Sequence, residues 1–137
     1  MERDYGALLL RLALGTMFVA HALLKYFVFT LPGTVAFFES LGLPGFFAHL
    51  TIVAELVGGV LLILGVYARA VALVLVPVLL GATWAHIGNG WLFTAPNGGW
   101  EYPAFLTVAA IVQVLIGDGA FALKPTPVLR GLKMAKA

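Results

Sequence analysis

The chain has 137 residues, 62% of them hydrophobic and only 10% charged, with a mean hydropathy of +1.05. Soluble domains carry about 25% charged residues, so an ordinary water-soluble fold is excluded, and a formal charge of +2 gives no footing for nucleic acid. Cysteine is absent, which removes disulfides, thiolate catalysis and cysteine-ligated clusters from this chain's own chemistry.

The first apolar run, Tyr5 to Phe29, is long enough to cross a bilayer. It contains Arg11, His21 and Lys25. Ionisable groups at such depth usually face a bundle interior or a water-filled cavity. At 100° per residue, with Arg11 at zero, Gly15 falls at about +40°, Phe18 at −20°, His21 at −80°, Ala22 at +20° and Lys25 at −40°. Helix 1 thus has a polar seam and a lipid face. The run is too long, and too charged inside, for a cleavable signal, and is expected to be retained. Residues 34–41 lie between Pro32-Gly33 and Pro44-Gly45, which mark turns; an interfacial or re-entrant helix is expected there.

A second span is expected over 46–66, with Glu55 near its middle. Gly58, Gly59, Leu62 and Gly65 fall within about 80° of Glu55, and small residues on that face permit close packing. A third span is expected over 70–87, with Pro77 inside it, which membrane bundles tolerate. Gly88 to Trp100 is rich in glycine and tryptophan and has no Lys or Arg; Trp91 and Trp100 suit an interfacial belt. A fourth span is expected over 102–117, with Gln113 as its internal polar residue. A basic tail, residues 124–137, follows.

These elements predict an all-α fold: one membrane domain over 1–137, a four-helix bundle running up-down-up-down. Arg3, Arg69, Lys124, Arg130, Lys133 and Lys136 gather on one side and no loop Lys or Arg on the other. The positive-inside rule then puts both termini in the cytoplasm. Helix rise places His21 about 12 Å, Lys25 about 6 Å and Glu55 about 14 Å below the opposite ends of their helices.

The sequence resembles the DoxX family of small bacterial four-helix membrane proteins. Arg11-x3-Gly15-x2-Phe18-x2-His21-x3-Lys25-x-Phe27 is similar to its first-helix signature, with Ala22 where the family commonly has glycine. Phe37-Phe38-Glu39-Ser40-Leu41-Gly42-Leu43-Pro44 is similar to the following segment. Ala54-Glu55-x2-Gly58-Gly59 and Gly65-x3-Arg69 resemble the second-helix signature. His86-x2-Asn89-Gly90-Trp91 and Gly98-Gly99-Trp100-Glu101-Tyr102 resemble the third and fourth. The resemblance implies the bacterial inner membrane and redox or stress biochemistry. Some relatives are subunits of a thiosulfate:quinone oxidoreductase; others are described as membrane partners of superoxide dismutase and a sulfurtransferase.

His21, Lys25 and Glu55 form the main candidate site. A buried carboxylate needs a partner, and a Glu55–Lys25 pair beside His21 would satisfy all three. One reading is a structural lock. The other is a pocket where His21 and Glu55 exchange protons with a quinone or similar acceptor. Lys25, Arg11, His86, Asn89, Trp100 and Glu101 are then the candidate substrate-binding residues. Arg11 has its own structural reading, snorkelling to the cytoplasmic interface or pairing with Asp118 to fix packing. Metal binding by His21, His86 and Glu55 is weaker, since nothing fixes a ligand spacing. Two function classes stand. One is a quinone-linked redox protein. The other is a non-catalytic scaffold that docks soluble or membrane redox partners. An oligomeric transporter is a distant third. The expected partners are the lipid bilayer, redox proteins and further copies of the chain.

Overall fold

A computed structural model describes residues 1–127; the expected basic positions Arg130, Lys133 and Lys136 lie outside the described residues. Among the described residues there are five α-helices: α1 (Glu2–Leu23), α2 (Leu31–Ser40), α3 (Phe46–Leu64), α4 (Ala68–His86) and α5 (Glu101–Ile116). A π-helical turn, Leu24–Val28, continues α1, and a 3-10 turn, Ile87–Asn89, continues α4. Among the described residues there is no strand; Val66 and Lys124 form an isolated bridge.

Three helical stretches are long and apolar enough to cross a membrane: Glu2–Val28, Phe46–Leu64 and Ala68–Asn89. The fourth apolar helix, α5, is 16 residues long, about 24 Å at 1.5 Å per residue. Helix starts differ from expectation by a few residues. α1 begins at Glu2 rather than Tyr5, and α2 begins at Leu31, before residue 34. Thr30 caps α2, its Oγ1 accepting from the Gly33 amide at 3.3 Å, and Pro32 sits in the first turn, where a missing N–H costs nothing.

α1 packs against α3 in the antiparallel sense, Arg11 lying beside Leu62 and Ile63 and Lys25 beside Glu55. Two glycines set this approach. A Cβ on Gly15 would lie 2.7 Å from the Gly59 carbonyl oxygen, and one on Gly59 would lie 2.8 Å from that of Gly15. Close backbone approach of this kind substitutes for hydrophobic driving force between helices in lipid. α4 packs on α3 and α5, and the buried core of Leu14, Phe18, Leu62, Ala68, Ala72, Leu75, Leu79 and Ala110 lies among these four helices.

The end holding the α1 N-terminus and the α3–α4 turn is closed by Arg11, which is 1% exposed. A helix leaves its last carbonyls without intrahelical partners. At the end of α3 each one is met. Gly65, at φ 77°, closes the helix with its amide on Leu61 and Leu62 and the Val66 amide on Leu61, a Schellman arrangement that favours glycine. Arg11 Nη1 donates to Leu62 and Ile63 at 3.1 and 3.0 Å. The Leu123 amide takes Leu64, and the Lys124 amide takes Gly65. Arg11 also donates to the Asp118 and Ala120 carbonyls, at 3.0 and 2.7 Å.

Of the two structural readings of Arg11, the contact with Asp118 is the one seen, and it runs through the Asp118 carbonyl rather than a carboxylate hydrogen bond. The Asp118 carboxylate instead accepts from the Arg69 amide and from Thr126, through both amide and hydroxyl. Burial pushes the Asp118 carboxyl up, but the Thr126 hydroxyl, the two amides and the Arg69 charge outweigh it and hold the carboxyl below the usual aspartate range. Its stabilising contribution is present above the ordinary aspartate pKa, near ~4. It is lost as pH falls through the lowered folded value.

Replacing Arg11 by Met strands backbone acceptors on two segments. The expected loss is about 3 kcal/mol or more, with Arg11→Lys intermediate because an ammonium cannot span the same carbonyls. Denaturant unfolding in detergent micelles checks this; a Lys variant as stable as the native protein would show that one contact carries the clamp.

Candidate functional site

The opposite end of the helices brings Lys25 and Glu55 together. Lys25 lies in the π turn, and its Nζ is 2.7 Å from Glu55 Oε2. The two side chains are 21% and 8% exposed. The Gly15–Gly59 approach holds α1 against α3, and Glu55 lies one turn before Gly59 on the same face. Taking two charges out of water is costly and is offset only by close geometry. The pair satisfies that condition from the Glu55 side and leaves Lys25 partly open.

The chain after Lys25 is held over this end. Thr34 is 4% exposed, and its hydroxyl lies 3.1 Å from the Lys25 carbonyl and 2.9 Å from that of Thr30. Thr30 itself adopts φ 65°, ψ 160°, a region essentially reserved for glycine and costing about 1–3 kcal/mol. π turns and strained residues both concentrate at functional sites. Here they occur within five residues of Lys25.

His21 lies one turn before Lys25 but turns elsewhere. Its Nδ1 is 2.7 Å from the Met17 carbonyl. A carbonyl can only accept, so Nδ1 is the donor, and in the neutral ring Nε2 keeps the lone pair. The ring packs on Tyr102, with centroids 5.7 Å apart. The Tyr102 hydroxyl is buried and has no hydrogen-bond partner among the described residues. His21 and Glu55 share no hydrogen bond.

The remaining candidates fall into two places. His86 and Asn89 fasten the 88–100 loop: His86 Nδ1 lies 3.2 Å and Asn89 Nδ2 2.9 Å from the Gly98 carbonyl. The His86 ring also faces Phe37 of α2 at 6.5 Å. Trp100 packs edge-on against Trp91 at 4.5 Å, and Glu101 Oε1 accepts from the Phe93 amide at 2.9 Å. Arg11 lies about 21 Å along the helix from Lys25, with its guanidinium held by carbonyls. No group of three His, Cys, Asp or Glu converges among the described residues, and His86 bonds to the Gly98 carbonyl of the loop.

Sequence reasoning missed Thr34 and Tyr102 as members of this end. Tyr102 was visible within Trp100-Glu101-Tyr102, but its contact with His21 depends on how α5 meets α1. Thr34 offered no signal, since the π turn that aims Lys25 toward it follows no sequence rule.

A family model described as DoxX matches residues 6–88. The chain is also similar to a protein of Bacillus subtilis (strain 168) described as "Putative oxidoreductase CatD", at 35% identity over 122 residues, 89% of this chain and 87% of the relative. No solved structure matches.

The pair yields a double-mutant prediction. Glu55→Gln and Lys25→Met are each expected to cost ~3–5 kcal/mol, because each strands the other charge, and the double mutant is expected to recover part of that loss. Unfolding free energies of all four proteins in one detergent would decide it; strictly additive losses would mean the two side chains do not interact.

Proposed function

The chain belongs to the DoxX family of membrane proteins, and from that premise we propose that it binds a quinone or similar small acceptor beside the Lys25–Glu55 pair and takes part in membrane redox biochemistry. The proposed setting is the bacterial inner membrane. There α1, α3, α4 and α5 cross as one up-down-up-down domain, with both termini and Arg69 in the cytoplasm.

One observation carries the site. The part-buried Lys25–Glu55 pair lies one helical turn from His21, whose ring packs on Tyr102, and the buried Tyr102 hydroxyl has no hydrogen-bond partner among the described residues. Buried polar groups are nearly always satisfied, so an orphan hydroxyl beside a histidine is a candidate contact for a ligand oxygen. Lys25 and Tyr102 donate, and would orient a carbonyl. Histidine is the side chain suited to proton exchange near neutral pH, and Glu55 holds the lysine in place. His86, Asn89, Trp100 and Glu101 shape the loop that covers this end. Two-electron reduction of a quinone also consumes two protons. The chain's residues supply proton exchange and orientation, and a redox partner protein or reduced substrate supplies the electrons. The relative named as an oxidoreductase agrees with this class of chemistry.

Two measurements test it. For the setting, single cysteines at Thr94 and Pro127 would be probed on intact cells with an impermeant thiol reagent. Labelling at Thr94 alone is expected, and labelling at Pro127 alone would reverse the orientation. For the ligand, a soluble quinone analogue is expected to raise the unfolding temperature by mass action, with stabilisation growing as the logarithm of its concentration above Kd and reaching about 2.7 kcal/mol at a hundredfold excess. Tyr102→Phe and His21→Ala are expected to weaken that shift while remaining folded. No shift in the native protein, with a soluble oxidoreductase co-purifying, would put the scaffold role in its place.

A further inference from the structure

An open groove of about 620 Å³ has Tyr102 in its wall and is lined by neither Lys25, Glu55 nor His21. Its upper walls are Trp91 and Trp100, whose rings meet at 78°. Below them the groove follows α5 from Glu101 past Phe105 to Val108, about 10 Å along the helix axis. Phe93, Phe105 and Val108 are 68%, 69% and 60% exposed, so this side faces the surroundings of the helices. In a membrane protein those surroundings are lipid.

The charge on the groove is one-sided. Glu101 is its ionisable carboxylate, and among the described residues no Lys, Arg or His lies within salt-bridge distance of it. The 88–100 loop has no Lys or Arg. One carboxylate oxygen is held by the Phe93 amide, and the other has no hydrogen-bond partner among the described residues. Two aromatic walls near a right angle, with a carboxylate beside them, attract an ammonium by combining cation–π and ionic terms. The lower half has no polar group to offer and suits an acyl chain.

We propose that this groove binds a phospholipid with an ammonium headgroup, an aminophospholipid, with the ammonium between Trp91, Trp100 and Glu101 and an acyl chain along Phe105 and Val108. The gradient from carboxylate to bare apolar wall selects an amphiphile over a free amine. The missing cation selects an ammonium headgroup over an anionic one. The proposal does not depend on the quinone reading, since neither Lys25, Glu55 nor His21 lines the groove.

The test uses the full chain in an uncharged detergent, in a Trp84→Phe background, so that the two remaining tryptophans both line the groove. Tryptophan fluorescence is followed during titration with short-chain phosphatidylethanolamine, with phosphatidylglycerol of the same acyl length, and with ethanolamine. Saturable change with phosphatidylethanolamine alone, at concentrations where the other two give none, is the expected result. Glu101→Gln keeps the acceptor for the Phe93 amide and removes only the charge. It is expected to weaken phosphatidylethanolamine about fivefold and to leave phosphatidylglycerol as it was. An equal response to both lipids, an equal response to ethanolamine, no response, or an unchanged affinity in Glu101→Gln would each overturn the proposal.

Discussion

A charge placed among apolar helices has to be met by the chain itself, because neither lipid nor a dry interior supplies a partner. Two such charges on α1, Arg11 and Lys25, tie that helix to α3 at two levels. Arg11 is met by backbone carbonyls, through a fork of donors that fits the frayed end of α3 and the loop after α5. Lys25 is met by a single carboxylate. Between them Gly15 and Gly59 bring the two backbones into contact. The rest of the arrangement follows from these fixed points: where α2 lies, which residues of α5 meet α1, and where the loop after α4 is fastened.

The two ends differ in what they leave over. At the Arg11 end each orphan carbonyl of α3 has a donor, and the Asp118 carboxylate accepts from Thr126 and the Arg69 amide. That is the bookkeeping of a structural clamp. At the Lys25 end the bookkeeping stays open. Lys25 is partly exposed, Tyr102 has an unpaired hydroxyl, Thr30 is held in a strained conformation and the helix is underwound. Unpaired buried atoms and positive φ occur at the Arg11 end as well, at Arg69 Nε, Gln113 Oε1, Tyr67 and Phe121; what sets the Lys25 end apart is a partly exposed ion pair held in a π turn.

Much of this was legible in the sequence. Apolar runs placed the long helices to within a few residues, and the helical phase of Arg11, Gly15, His21 and Lys25 put a seam on one face of α1. Glu55 and its glycines gave the matching face of α3; straight helix rise put Glu55 nearer in depth to His21 than to Lys25, its actual partner. Two things were not legible. A phase of 100° per residue holds only while the helix is α, and the π turn at Leu24–Val28 breaks that rule where Lys25 lies. The partner of Arg11 also looked like the nearest carboxylate, whereas a guanidinium has five donors and a helix end has several free carbonyls. Counting donors against orphan acceptors, rather than charges against charges, would have pointed to the clamp.

The central claim is that the open end, at Lys25, Glu55, His21 and Tyr102, receives the ligand. Photolabelling of native membranes with an azido-quinone, followed by peptide mass spectrometry, addresses that location without assuming an activity. The account predicts competable labels within residues 18–37 and 98–105. Labels confined to the Arg11 end, or scattered over the lipid-facing sides of α4 and α5 and not competed by unmodified quinone, would contradict it.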